Sequence, residues 1–152
     1  MTLNDQLLTF TELTVDQLHQ ILQLRSQVFV LEQNCAYQDI DDLDQQALHL
    51  IISEENQPII AYARILSPAE YNNKYSSIGR VVVAESMRQQ KLGRQLMQMA
   101  IEHAKRLFPK VPIEISAQTY LSKFYQSLGF VNTGHFYLEN DIPHQEMIFK
   151  PE

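Results

Sequence analysis

The sequence predicts an α/β protein: a mixed, mostly antiparallel sheet carrying helices on both faces. Three observations lead there. Short β-rich runs recur along the chain, separated by two long segments whose apolar residues repeat at helical spacing. The strongest strand signal, Ile78 to Val83, runs almost directly into the longest helical signal, which begins near Leu92. The chain has 152 residues, 45% hydrophobic and 20% charged, which is the length and balance of a single domain with one core.

Leu7 to Leu13 alternates loosely and reads as a first strand. Thr14 is placed to cap a helix, and Gln17, three residues on, completes a capping box. Leu18, Ile21, Leu22, Val28 and Phe29 continue at helical spacing, so that helix should run to about Phe29 or Leu31. Glu32 to Asp44 breaks the pattern as an irregular acidic connection. Ala47 to Ser53 and Pro58 to Leu66 read as strands of a hairpin turned by Glu54-Glu55-Asn56-Gln57, followed by a polar loop from Ser67 to Ser76. After Ile78-Gly79-Arg80-Val81-Val82-Val83, a long helix is marked by Leu92, Leu96, Met99, Ala100, Ala104 and Leu107, and Pro109 cannot continue it. Pro112 to Ser116 predicts a strand. Tyr120 to Leu128 predicts a helix closed by Gly129 at its C′ position. Phe130 to Leu138 and Gln145 to Lys150 predict the last two strands. No internal repeat or linker interrupts residues 1–152.

Lys and Arg number 12 against 18 Asp and Glu, a formal net charge of −6. That balance disfavours non-specific attraction to nucleic acid or anionic lipid, so neither is expected as a partner. No apolar run approaches the roughly 18–20 residues needed to span a bilayer. Met1 to Gln6 lacks the basic and apolar regions of a signal peptide. Cys35 is the only cysteine, which excludes an intramolecular disulfide and points to a reducing compartment. A cytoplasmic protein is the expectation. His19, His49, His103 and His135 show no metal-ligand spacing with Cys35, and no metal is expected.

The stretch Arg88-Gln89-Gln90-Lys91-Leu92-Gly93-Arg94 places three cations at the start of the longest helix of an acidic chain. Positive charge there opposes the helix macrodipole at a cost of about 0.3–1 kcal/mol per charge. An anion seated on the free amides of the first turn would offset that cost, and Gly93 leaves room for a phosphate to approach the backbone. The same residues also fit a solvated first turn with a tolerated glycine.

Gln90-Lys91-Leu92-Gly93-Arg94-Gln95 resembles the Gln/Arg-x-x-Gly-x-Gly/Ala signature of the GNAT superfamily of acyl-CoA N-acyltransferases, with Lys91 and Gln95 where small residues are usual. Phe124-Tyr125-Gln126-Ser127-Leu128-Gly129-Phe130 resembles the Phe-Tyr-x-x-x-Gly-Phe segment that follows in that superfamily. Leu24-Arg25, Val28-Phe29, Glu32-Gln33-Asn34-Cys35, Tyr37-Gln38-Asp39 and Ile142-Pro143-His144 are similar to its ElaA branch. The resemblance implies a GNAT-like fold and acetyl-CoA as co-substrate. It implies that Val81 and Val83, flanking Val82, bond the pantetheine arm through their backbones. It further implies that the amides of Gln89, Gln90, Lys91, Leu92, Gly93 and Arg94, with Arg88 beside them, hold the pyrophosphate.

Under that resemblance Tyr125 becomes the candidate general acid, since a phenol with a pKa near about 10 can protonate a leaving thiolate. Its residue type alone equally fits a packed core aromatic beside Phe124. The base that takes the amine's proton is open among Glu32, Glu114 and His144. Asp39, Asp41, Asp42 and Asp44 form a solvated loop, a lip that attracts an amine, or partners for Arg64 and Arg80 inside strands. The expected reaction is direct transfer of an acetyl group to a primary amine of a small molecule, peptide or lysine side chain; assembly as a homodimer is left open. Two alternatives stand beside it. Arg25, Phe29 and Arg64 also look similar to the acyl-homoserine lactone synthases, although the absence of Trp argues against them. A non-catalytic acyl-CoA-binding domain is the other.

Overall fold

The computed structural model describes residues 3–55 and 58–152, and the backbone alone at Gln90. Its described strands are β1 (Leu3–Thr9), β2 (Leu48–Glu54), β3 (Ile59–Leu66), β4 (Ser76–Val83), β5 (Ile113–Gln118), β6 (Val131–Glu139) and β7 (Ile142–Phe149). They form one sheet in the order β1-β2-β3-β4-β5-β7-β6. Every neighbouring pair is antiparallel except β4 with β5. The helices are α1 (Val15–Arg25), α2 (Pro68–Tyr71), α3 (Leu92–Leu107) and α4 (Ser122–Ser127).

Both faces of the sheet are covered, and the sequence shows why. All eight residues of β3 are buried, so its polarity does not alternate. Ala61, Ala63 and Ile65 pack with Leu96, Met97 and Ala100 of α3, while Ile59 and Tyr62 pack with Ile21 of α1 on the other face. Leu92, Leu96, Met97, Ala100, Ile101 and Ala104 line the buried stripe of α3, each large apolar side chain contributing about 1.5–3 kcal/mol. Leu107 ends the helix and stands partly exposed.

The Thr14 capping box forms in full: Thr14 Oγ1 accepts from the Gln17 amide at 3.0 Å, and Gln17 Oε1 accepts from the Thr14 amide at 2.9 Å. The helical path runs on past Arg25 as a π-helical segment, Ser26–Glu32. Two expectations need correction. The first strand is Leu3–Thr9 rather than Leu7 to Leu13, because the Thr9 amide and hydroxyl both donate to Glu12 Oε1, at 2.9 and 3.0 Å, and Phe10–Glu12 turns into a 3₁₀ helix. The loop from Ser67 to Ser76 contains α2, opened by Ser67 as N-cap to the Glu70 amide with Pro68 in the first turn. In the expected hairpin turn, Asn56 and Gln57 lie outside the described residues. Gly129 has φ 104°, as a C′ glycine requires.

Candidate active site

Two features of β4 create an opening in the sheet. Its pairing with β5 is limited to Ser76 with Ile113 and Ser77 with Glu114, after which the strands diverge. From Gly79 to Val83 the edge of β4 that faced β5 therefore has backbone donors and acceptors without a strand to receive them. On its other edge, Tyr62 of β3 pairs with Val82 and Arg64 with Gly79, so Arg80 and Val81 oppose Ala63 alone. This is a β-bulge, and Arg80 adopts φ 52° there, a left-handed conformation that a non-glycine residue rarely takes. The opening continues into a cleft of about 730 Å³ whose lining includes Val81, Val82, Val83, Arg88, Tyr125 and His144. The side chain of Val82 packs into the core beneath α1, and its backbone faces Tyr62 of β3.

Beyond β4 the chain makes a 3₁₀ turn, Glu85–Gln90, and Lys91 then enters α3 with φ 56°. The left-handed residue swings the chain so that α3 begins beside the end of β4. Among the described residues no side chain caps that helix, and the amides of its first turn stay available to an anion. A Cβ added to Gly93 would find its nearest neighbour, Val83 Cγ2, at 3.9 Å. Arg88 forms a two-pronged pair with Glu32, at 2.8 and 3.0 Å, and donates through Nε to the Val83 carbonyl at 3.2 Å. Arg94 donates to Ser127 Oγ at 2.8 Å, tying α3 to α4. Lys91 and Gln89 are exposed and Leu92 is buried; the side chain of Gln90 lies outside the described residues.

Tyr125 is 9% exposed, packed edge-on against Phe124 and Phe130, yet it lines the cleft. The ring is thus a core aromatic that also reaches the cleft wall. Burial pushes its phenol up to about 12, which keeps the proton on oxygen at neutral pH. His144 faces the cleft from β7, mostly buried. Its Nδ1 lies 2.7 Å from the Ile142 carbonyl, which can only accept, so Nδ1 carries the hydrogen. Its other ring nitrogen, Nε2, lies 3.3 Å from Glu139 Oε2. The Arg88 hydrogen bonds hold the Glu32 carboxyl below its ordinary pKa and make it a weak base. Glu114, pushed up by burial, accepts the Tyr71 hydroxyl at 2.7 Å.

The acidic connection is consumed by arginines. Arg25, fully buried, pairs with Asp39 at 2.7 Å and Asp44 at 2.8 Å. Arg64 pairs with Asp41 at 2.6 Å and Asp44 at 3.0 Å, and Arg80 with Asp39 at 2.7 Å. Asp42 alone of the four stays exposed. Burial by itself would raise the pKa of Asp41, but the hydrogen bonds and charge of Arg64, with Arg80, outweigh it and hold the carboxyl low. The network fastens residues 39–44 to α1, β3 and the bulge in β4. Tyr37 from the acidic connection, Tyr71 from α2 and Ser116 from β5 also line the cleft, and nothing in the linear pattern marks them as partners. Only Tyr71 had a signal, the Ser67-Pro68-Ala69-Glu70 helix start that places it.

Comparison with known proteins agrees with this architecture. The family model described as "Acetyltransferase (GNAT) domain" matches residues 9–151. The protein ElaA of Escherichia coli strain K12 is 45% identical over 136 residues, covering 88% of each chain. The crystal structure of an acyl-CoA N-acyltransferase from Pseudomonas aeruginosa superposes with a TM-score of 0.90 at 40% identity, covering 97% of this chain and 99% of that one. The crystal structure of E. coli ElaA gives 0.89 at 39% identity, covering 98% and 100%. The homoserine lactone synthase LasI, with a TM-score of 0.69 at 14% identity over 98% of this chain and 90% of that one, shares the fold alone. A sheet opened between β4 and β5, a bulge at its mouth, a helix start with free amides and these relatives together establish that the chain belongs to the GNAT acyltransferase family, in its ElaA branch.

Proposed function

We propose that this chain is an N-acetyltransferase that moves the acetyl group of acetyl-CoA directly onto a primary amine of a small molecule or peptide. The observation that carries the reading is the divergence of β4 from β5 with Tyr125 on the cleft wall. Acetyl-CoA supplies the activated acyl group. Attack by an amine then asks four services of the protein.

The unpaired backbone of β4 at the Arg80–Val81 bulge offers hydrogen bonds to the thioester end of the pantetheine arm, in place of a neighbouring strand. The first-turn amides of α3 take the pyrophosphate, and Gly93 keeps that surface bare. Tyr125, protonated at neutral pH, hydrogen-bonds the departing thiolate and donates its proton. His144 receives the amine's proton at Nε2, where the imidazolium pairs with Glu139. We assign this role to His144 over Glu32, because Glu32 is already neutralised by Arg88.

The test is release of free thiol from acetyl-CoA by pure protein with a panel of primary amines. Tyr125→Phe keeps the ring packing and removes the proton, so kcat should fall roughly 10²-fold with an unchanged acetyl-CoA Kd. In the same assay, His144→Gln should lower kcat, since the amide cannot take up the amine's proton. Unchanged rates in both variants would return the two side chains to the scaffold. Acetyl-CoA binding without thiol release from any amine would instead support a non-catalytic binding domain.

A further inference from the structure

The sequence contains four glycines, and the structure divides them into two kinds. Gly129 and Gly134 have φ of 104° and 93°, and a Cβ on Gly129 would lie 2.9 Å from Phe149; the backbone itself requires them. Gly79 and Gly93 have no such conformation. A Cβ on Gly79 would meet nothing within 4 Å. Yet Gly79 lies inside β4, where a residue without a side chain weakens the strand and a β-branched one would strengthen it. Neither backbone nor packing explains a glycine here.

The open space above Gly79 is part of the cleft. Gly79 precedes the bulge and pairs with Arg64, while Leu66 pairs with Ser77. Side chains alternate along strands, so Arg64, Leu66 and Ser77 share its face, the α1 side of the sheet. Val81 and Val83 pack against the core on the opposite face, beneath α3. The acyl donor enters from the α3 side, through the amides of that helix, which leaves the Gly79 side to the acceptor. The arginines at this end are committed to Asp39, Asp41 and Asp44, and hydroxyls of Ser77, Tyr37 and Tyr71 line the space.

Resting on the acyl-transfer reading above, we propose that Gly79 is the floor of the acceptor subsite and sets the size of the amine it takes. The acceptor class is a primary amine carrying a bulky, uncharged substituent, which fills the volume a Cβ at residue 79 would occupy. Selection at this subsite is by bulk, since the neighbouring charges are already paired.

The experiment compares wild type, Gly79→Ala and Gly79→Val in thiol release with ethylamine, butylamine, benzylamine and 2-phenylethylamine, alongside calorimetric titration of acetyl-CoA and thermal melting. Loss should grow with acceptor size and with side-chain size. It should reach about ten-fold or more in kcat/KM for Gly79→Val with the aromatic amines, while ethylamine stays within about two-fold. The acetyl-CoA Kd should be unchanged and Tm equal or higher. An equal loss across the panel, no loss at all, or weakened acetyl-CoA binding overturns the proposal. If Gly79→Val fails to fold, Gly79→Ala is judged by the same size dependence. If wild type releases no thiol with any amine, acyl transfer is the reading that fails. The subsite is then judged by titrating the same amines into the CoA-bound protein, where size-dependent weakening in the variants supports it and size-independent behaviour overturns it.

Discussion

Lys91 and Arg80 occupy left-handed backbone positions, at φ 56° and 52°, where such a conformation costs a residue with a Cβ about 1–2 kcal/mol. Both flank the segment on which the acyl donor is expected to lie; the sequence marked Lys91 at a position where small residues are usual and Arg80 as a cation inside a strand, but not their backbone conformation. The residue types are ordinary, and a left-handed φ leaves no trace in periodicity when the residue is not glycine. Gly93 is the opposite case. Its place at a helix start marked it as a candidate for close phosphate approach, and the structure adds that the protein would accommodate a side chain there. Gly93→Ala should raise stability by about 0.5–1 kcal/mol, because alanine is the better helix former. That is an increase in Tm of roughly 1–4 °C for a domain of this size. The same methyl group intrudes on the phosphate and should weaken acetyl-CoA binding about ten-fold, some 1.4 kcal/mol. Melting and calorimetry on one preparation check both halves. A variant that gains stability and keeps full affinity would show that the pyrophosphate rests elsewhere.

At the scale of elements, the acidic connection is a structural clamp. Arg25 and Arg64 are 0% and 5% exposed, and Asp44 lies between them, bonded to both. Removing one partner of a buried ion pair leaves an uncompensated charge, which typically costs about 3–5 kcal/mol. Asp44→Ala should therefore destabilise the protein by that order in urea denaturation. Exposed Asp42→Ala should stay within about 0.5 kcal/mol. Similar effects from the two substitutions would mean the network contributes little. The sequence offered this pairing as one of three readings of Asp39 to Asp44, because four carboxylates in a loop and two arginines in strands do not reveal who meets whom. Arg25 was not among the expected partners: it stood out only through the family resemblances, and its place near the end of α1 does not say which carboxylates it meets. The π-helical segment Ser26–Glu32 has the same character: its composition continues a helix, and only packing decides that the turns widen where Phe29 and Glu32 reach the cleft.

For the whole molecule, the same network couples stability to pH. His49 is 1% exposed, its Nε2 at 2.8 Å from the Asp44 carbonyl and its Nδ1 at 2.6 Å from the Tyr62 hydroxyl. The carbonyl can only accept, so Nε2 donates and Nδ1 accepts from Tyr62, which is the neutral ring. Burial holds its pKa below the ordinary 6.5. The unfolded chain therefore binds this proton first, and stability falls as pH drops below about 6.5 towards the lower folded value. His103, also held low by burial and then by Arg106, adds a change of the same sign. Asp41 acts at more acid pH: its contribution is present above the ordinary carboxylate pKa of 3.8 and is lost as pH falls through its lower folded value. His49→Gln offers Asp44 and Tyr62 a donor and an acceptor without the titration. It should flatten the decline in Tm between pH 6.5 and 5, leaving the His103 share. An unaltered slope would place the sensitivity elsewhere.

By itself the sequence determined the fold class, the long helices, the cap at Thr14, the C′ turn at Gly129 and the two motifs that identify the family. These depend on local chemistry: hydrogen bonds three or four residues apart, one-sided apolar stripes and backbone conformations that glycine permits. Tertiary structure decided the divergence of β4 from β5, the bulge at Arg80, the partners of the aspartates and the convergence of Tyr125 and His144 on one cleft. Each of those joins residues far apart in sequence. Local spacing carries no record of such pairings, because they are selected by the packing of the whole sheet.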